Sequence, residues 1–182
     1  MPPLNSQTLQ ARLKRVRVVL MDVDGVLSDG RLFHFVDTSG SLVELKGIGS
    51  QDAIALAWLA QMGLKTGIIS GRISQGVAER MKILKMSFIY QHRLDKKNVL
   101  ARICRQAGVS PSQVLYIGDD LQDLPVLRAV GVAVAVPNAR PEVKAAAHWI
   151  TRRAGGDGAV REAAEALLKA QGLWPRILDK FC

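Results

Sequence analysis

From Arg17 onward the chain alternates short apolar runs with stretches of helical period, and this alternation constrains its fold more than any other feature. The runs are Arg17 to Asp22, Lys65 to Ile69, Phe88 to Tyr90, Val114 to Ile117, Val132 to Val136 and His148 to Ile150. They lack helical spacing and are apolar throughout, as strands covered on both faces are. After Ser50, by contrast, Ile54, Leu56, Ala57, Leu59 and Ala60 recur at helical spacing. Further helices are expected over Ser74 to Leu84, Lys96 to Ala107, around Leu121 to Ala129, after Pro141 and over Ala159 to Gln171, with Gly63, Gly108 and Gly131 where C-terminal caps belong. Strands alternating with helices predict a doubly wound, Rossmann-like α/β fold with a parallel sheet and right-handed crossovers.

One segment breaks the alternation. Arg31 to Val36 and Ser41 to Leu45 flank the turn formers Asp37-Thr38-Ser39-Gly40, which predicts a β-hairpin insertion at about 31–45 before any helix begins. No other insertion is long enough for a large cap domain. With 182 residues and 48% hydrophobic content, one domain spanning 1–182 is expected. Its tail, about 173–182, carries Trp174, Ile177, Leu178 and Phe181 and should pack somewhere.

Two cysteines, Cys104 and Cys182, allow neither a disulfide framework nor zinc spacing. The polar, basic start and the interruption of Val16 to Met21 by Asp22 fit neither a signal peptide nor a membrane span. A cytoplasmic enzyme with no membrane partner is the expectation. The net charge of +9 suits an anionic substrate or a basic solvated surface. Nucleic acid is disfavoured, because aromatics are only 5% and the basic residues scatter from Arg12 to Lys180.

In an open parallel sheet, ligands bind beyond the carboxyl ends of the strands. The first strand ends in Asp22-Val23-Asp24-Gly25, and residues two apart in extended chain point the same way, so both carboxylates can face one point and call for a cation. Taken alone, such a motif is more often a cap or a solvated turn. The second ends in Ser70-Gly71-Arg72, a hydroxyl and amides that suit an anion at a helix start, or else an ordinary serine cap. The strand ending at Ile117 runs into Gly118-Asp119-Asp120-Leu121-Gln122-Asp123, whose oxygens suit magnesium if that strand lies beside the first. Lys96 opens a helix and can direct positive charge toward the strand ends, although most lysines, Lys97 among them, are solvated.

The ordered set Asp-x-Asp-Gly, Ser, Lys, Gly-Asp-Asp-x-x-Asp is far more specific than any one piece, and from Arg17 to Leu168 it resembles the haloacid dehalogenase superfamily. That resemblance implies Asp22 as nucleophile, Asp24 as acid/base, and Ser70 and Lys96 as phosphate binders. It implies magnesium on Asp22, Asp119 and the backbone carbonyl of Asp24, with Asp120 and Asp123 in support. The chemistry agrees: a carboxylate can accept a phosphoryl group, and a second one can protonate the leaving alkoxide and then deprotonate water. A receiver-like phospho-aspartate domain is the non-enzyme alternative, but Asp24 supplies an acid/base that a stable phospho-switch would not want. A decayed regulatory member should have lost a catalytic residue, and dehalogenation needs no proton donor at Asp24.

Within the superfamily, the stretches DVDGVLSDG at Asp22 to Gly30, GDDLQDLPVL at Gly118 to Leu127 and AGGDGAVRE at Ala154 to Glu162 are similar to the 3-deoxy-D-manno-octulosonate 8-phosphate phosphatases. That family implies a phosphorylated sugar-acid substrate and a homotetramer whose subunits cover each other's open sites. A nine-carbon sugar-acid 9-phosphate is the alternative substrate. Two departures mark specificity candidates: Gln51 and Asp157 stand where the family commonly has arginine. The loop Gly155 to Gly158 has a plainer reading, as a flexible connection in which Asp157 caps the last helix and Arg161 is only an ion-pair partner.

Overall fold

A computed structural model of the chain describes residues 6–181; residues 1–5 and Cys182 lie outside that span. The strands are β1 (Val18–Met21), β2 (Phe33–Val36), β3 (Leu42–Leu45), β4 (Lys65–Ile69), β5 (Phe88–Tyr90), β6 (Val114–Gly118), β7 (Val132–Ala135) and β8 (Trp149–Ile150). The helices are α1 (Ser6–Leu13), α2 (Ser50–Gln61), α3 (Gln75–Ile83), α4 (Lys96–Ala107), α5 (Leu124–Leu127), α6 (Pro141–Ala146), α7 (Ala159–Ala170) and α8 (Trp174–Leu178).

Six strands form one sheet in the order β5-β4-β1-β6-β7-β8, parallel at every pairing. The chain fills one side of β1 with β4 and β5, then crosses to β6 on the other side. That reversal opens a crevice at the carboxyl end of β1, the place where such sheets bind ligands. Every residue of β1, β6 and β7 is buried, which explains their uniformly apolar composition. Leu20, Leu115 and Ile117 are fully enclosed, each contributing about 1.5–3 kcal/mol relative to exposure. On one side of the sheet α7 packs against α2 and α1, and α5 packs against α4 and α6. Among the described residues, no helix is long and apolar enough to cross a membrane.

The structure departs from the sequence expectation at both ends. The first helix is α1, ahead of the first strand. It is held by partners distant in sequence: Arg12 Nη1 donates to Gly131 O (2.9 Å), and Gln171 Nε2 donates to Leu13 O (3.1 Å) and Val16 O (2.8 Å). The last helix is α8, not α7, because the tail folds back. Ile177 is buried and the Trp174 ring meets Trp58 edge-on at 5.6 Å. The helix expected from Leu121 to Ala129 is split into a 3-10 turn over Leu121–Asp123 and the short α5, with Pro125 at the restart, where its missing N–H costs nothing.

The hairpin forms where expected, pairing Phe33 with Leu45 and Val36 with Leu42 in a two-stranded sheet of its own. Phe33, Phe35, Val36, Leu42 and Leu45 are all exposed on it.

Candidate active site

Parallel register brings the predicted strand ends together. Met21 lies level with Ile68 on one side and with Ile117 on the other, so Asp22, Ser70 and Asp119 all leave the sheet at one edge. The chain turns sharply after Asp24 through Gly25, whose φ is +91°. A Cβ there would lie 2.2 Å from Asp119 Oδ2, so only glycine lets the first loop and the Asp119 carboxylate share this space.

Lys96 is the centre of the site. Its side chain is fully buried, and Nζ lies 3.0 Å from Asp22 Oδ2 and 2.7 Å from Asp123 Oδ1. Burial would lower the lysine pKa, but Asp22 and Asp123 outweigh it and hold the ammonium above its ordinary value. Asp123 is saturated. Oδ1 accepts from Lys96 and from the Tyr116 hydroxyl (2.6 Å), and Oδ2 accepts from the amides of Asp119 (3.0 Å) and Asp120 (3.2 Å). Asp120 caps the 3-10 turn by accepting from Leu121 N. Tyr116, a strand residue, is indistinguishable in the sequence from any other core aromatic.

Asp22, Asp119 and Asp123 each offer an oxygen within 4.8 Å of the others. Because Asp123 has its acceptors filled, Asp22 and Asp119 are the two carboxylates best able to hold a cation. Asp119 Oδ1 is buried with no hydrogen-bond partner among the described residues. Burial, reinforced by Asp22 and Asp123, pushes the Asp119 carboxyl up to about 8. Burial likewise raises Asp22 to about 6, against the pull of Lys96. A hard divalent cation bound by oxygens meets both needs, so the residues fit magnesium.

The pH dependence follows from these shifts. Without metal, both carboxyls hold protons in the folded chain that they release when unfolded above their ordinary value of 3.8. Their contribution to stability is therefore complete below that value and is lost as pH rises through about 6 and about 8. In chelator the melting temperature should fall between about pH 5 and about pH 8, and magnesium should raise it more at the higher pH. Equal magnesium shifts at both pH values would contradict this assignment.

Asp24 points elsewhere. Lys46, which directly follows β3, donates to its Oδ2 (2.9 Å) and lies 2.7 Å from its Oδ1. Lys46 also lies 3.2 Å from Glu44, and Arg72 donates to Glu44 (2.9 Å) with its Nε 4.0 Å from Asp24. Neither Lys46 nor Glu44 stood out in the sequence. Ser70 is buried and its Oγ accepts from Arg72 N (3.2 Å), but α3 starts only at Gln75, so the amides of Ser70, Gly71 and Arg72 lie in the loop before the helix and do not open it.

The glycine loop is a close-packed brace, and the reading of it as a flexible connection is corrected. A Cβ on Gly155 would lie 1.7 Å from Gly25 O. Asn138 ties the two loops, donating to Gly25 O (2.8 Å) and accepting from Gly155 N (2.9 Å). Asp157 does not cap α7. The amides of Gly158 (3.1 Å) and Arg161 (2.7 Å) are taken by Asp52 from α2, because that buried carboxylate already faces the helix start. Asp157 is exposed, 3.8 Å from Arg153. Gln51 lines a cavity of ≈ 570 Å³ with Arg153, Gly158 and Arg161. Arg161 bonds Glu165 and also lies over the Trp58 ring at 4.0 Å, so it does more than form an ion pair.

Comparison with known proteins agrees with this geometry. The family model for haloacid dehalogenase-like hydrolases matches residues 72–162. The chain is 36% identical over 167 residues to the 3-deoxy-D-manno-octulosonate 8-phosphate phosphatase KdsC of Escherichia coli (strain B / BL21-DE3), covering 92% of this chain and 87% of that protein. The structure of the Moraxella catarrhalis 3-deoxy-D-manno-octulosonate 8-phosphate phosphatase, in complex with magnesium ion, phosphate ion and KDO, superposes with a TM-score of 0.92 at 36% identity, covering 98% of this chain and 100% of that one. The cobalt-bound deoxy-D-mannose-octulosonate 8-phosphate phosphatase of Haemophilus influenzae gives a TM-score of 0.82 at 34% identity, over 88% of this chain and 92% of that one. The chain is thus similar in sequence and fold to metal-bound relatives across nearly its whole length, and it belongs to the 3-deoxy-D-manno-octulosonate 8-phosphate phosphatase family of haloacid dehalogenase-like hydrolases.

Proposed function

We propose that the chain is a magnesium-dependent phosphomonoesterase that hydrolyses 3-deoxy-D-manno-octulosonate 8-phosphate through an aspartyl-phosphate on Asp22. The observation that carries this is the buried triad of Asp22, Lys96 and Asp123 beside the partnerless Asp119 oxygen. Asp22 attacks phosphorus as the bond to the sugar oxygen breaks, and Asp24 delivers the proton that oxygen needs. In the second step Asp24 takes a proton from water, the water oxygen attacks phosphorus, and the bond to Asp22 breaks. Lys96 and Ser70 hold the phosphoryl oxygens, with the loop amides of Gly71 and Arg72 alongside. Asp22, Asp119 and the carbonyl of Asp24 would hold magnesium, which when bound would supply positive charge against the phosphoryl group.

A sugar-acid substrate is supported by the cations around the site mouth. A cavity of ≈ 310 Å³ beside Lys46 is lined by Arg80, Glu44 and Ser74, and Arg72 adjoins it through Glu44; Lys46 is already held by Asp24 and Glu44, so Arg80 and Arg72 are the cations available to a substrate. These offset the cations absent at Gln51 and Asp157. Catalytic efficiency on 3-deoxy-D-manno-octulosonate 8-phosphate should exceed that on hexose 6-phosphates by about tenfold or more, the worth of one charge-assisted hydrogen bond. Chelator should abolish both activities. A preference for neutral sugars would overturn the substrate, and undiminished turnover in chelator would overturn the metal. Nine-carbon sugar-acid phosphates are the expected competitors.

The exposed apolar residues of the hairpin support a homotetramer. A single-subunit mass by light scattering would overturn the tetramer.

A further inference from the structure

We propose that Lys46 is a positioning residue for Asp24, delivered by the hairpin, so that the hairpin serves acid/base chemistry as well as the protein surface. The inference rests on the reading of Asp24 as the acid/base.

Asp24 sits beyond the end of β1, one residue before the Gly25 turn, where the strand no longer holds it. Its side chain is 20% exposed and, among the described residues, its close partner is Lys46, on both oxygens. Lys46 itself has little freedom, with a side chain only 3% exposed and Nζ held between Asp24 and Glu44. Glu44 and Lys46 are two apart in extended chain, so they leave the hairpin on one face. Arg72 closes the chain from the loop after β4, 2.9 Å from Glu44. Two segments, the hairpin and the loop after β4, thus converge on one carboxylate. Among the described residues the hairpin strands pair with each other and not with the main sheet, and this network links them to the site.

The reaction requires Asp24 to meet first the sugar oxygen and then water at hydrogen-bond distance, and a displacement of about 1 Å can cost on the order of 100-fold. Lys46 sets that position by holding the carboxylate at a fixed distance from the hairpin base. In the second step, where Asp24 takes a proton from water, the contribution of Lys46 is the same for every substrate; in the first it is felt only where the leaving oxygen needs a proton. Phosphoryl transfer to Asp22 from an ester with a poor leaving group therefore depends on it, and transfer from p-nitrophenyl phosphate, whose leaving phenolate needs no proton, does not.

The test compares Lys46→Met with the parent in the single-turnover rate of phosphoryl transfer to Asp22, and in KM, on a sugar phosphate and on p-nitrophenyl phosphate, with magnesium saturating. The expected result is a transfer rate about 10- to 100-fold lower from the sugar phosphate, a change under about threefold from p-nitrophenyl phosphate, and KM little moved on either. Lys46→Arg should restore much of the loss. In an Asp24→Asn background, Lys46→Met should cost almost nothing further, because the two act as one unit. Equal losses of the transfer rate from both substrates, a raised KM with an unchanged transfer rate, or losses that multiply in the double variant would overturn the proposal. Should Lys46→Met not fold, Glu44→Gln loosens the same lysine and should give the same leaving-group bias, whose absence would also overturn it. Asp24→Asn alone separates the two readings. If it shows leaving-group bias and neither Lys46→Met nor Glu44→Gln does, only the role of Lys46 fails; if it shows none, the acid/base reading fails first.

Discussion

Replacing Asp22 by asparagine should remove turnover by on the order of 10⁴-fold or more, the scale expected when the nucleophile of a concerted group is lost. The amide fills the same volume, so the fold should survive. Asp22 Oδ1 accepts from Val23 N (2.7 Å) while Oδ2 faces Lys96 at 3.0 Å, so both oxygens face donors. The asparagine must turn its NH2 toward one of them. Against that, the substitution removes a carboxylate whose charge burial disfavours, as its pKa of about 6 reflects. These effects oppose each other, and the melting temperature should move by no more than a few degrees. The check is acid-quenched turnover with labelled substrate, in which the parent traps phosphoprotein and the variant does not. Phosphoprotein at a normal level in Asp22→Asn would place the nucleophile elsewhere.

Lys96→Met should damage stability as well as activity. The methionine can occupy the channel of the lysine stem, but it leaves Asp22 and Asp123 facing each other with no cation between them. Breaking a buried pair in this way costs about 3–5 kcal/mol. For a chain of this size that corresponds to a melting temperature lower by about 6–20 °C. Sign and pH follow from the carboxylates. The penalty should grow as pH rises above about 6, where Asp22 is ionised in the parent but losing Lys96 pushes its carboxyl higher still, and should shrink in acid, where Asp22 is protonated in both. Magnesium should return part of the loss by neutralising Asp22, without restoring turnover, because the phosphoryl oxygens still lack the ammonium. A melting temperature unchanged at about pH 8 in chelator would show that Lys96 is not the charge that holds this pocket together.

Much of this was legible from the chain alone, for a physical reason. Strands buried on both faces must be apolar, the residues that follow them must turn, and chemistry collects where the turns meet. The β4, β5 and α4 boundaries were therefore visible, as were Asp22, Asp24, Ser70, Lys96 and Asp119. Propensity did not reveal α1 and α8, whose stability comes from partners more than a hundred residues away, such as Trp58 for Trp174 and Gly131 for Arg12.

What the sequence by itself determined was the series of elements and which acids and cations end their strands, because those depend on local periodicity. Only the tertiary structure decided which groups touch. Asp123 serves Lys96 and the Asp119 and Asp120 amides, so of the three clustered carboxylates it is Asp22 and Asp119 that are proposed to hold a metal. Asp52 caps α7 in place of Asp157. Lys46, which reads as one more solvated lysine after a strand, is buried against Asp24. The distinction is energetic: a charged side chain gains nothing from its neighbours in sequence and is worth burying only beside an opposite charge, which folding alone brings within reach.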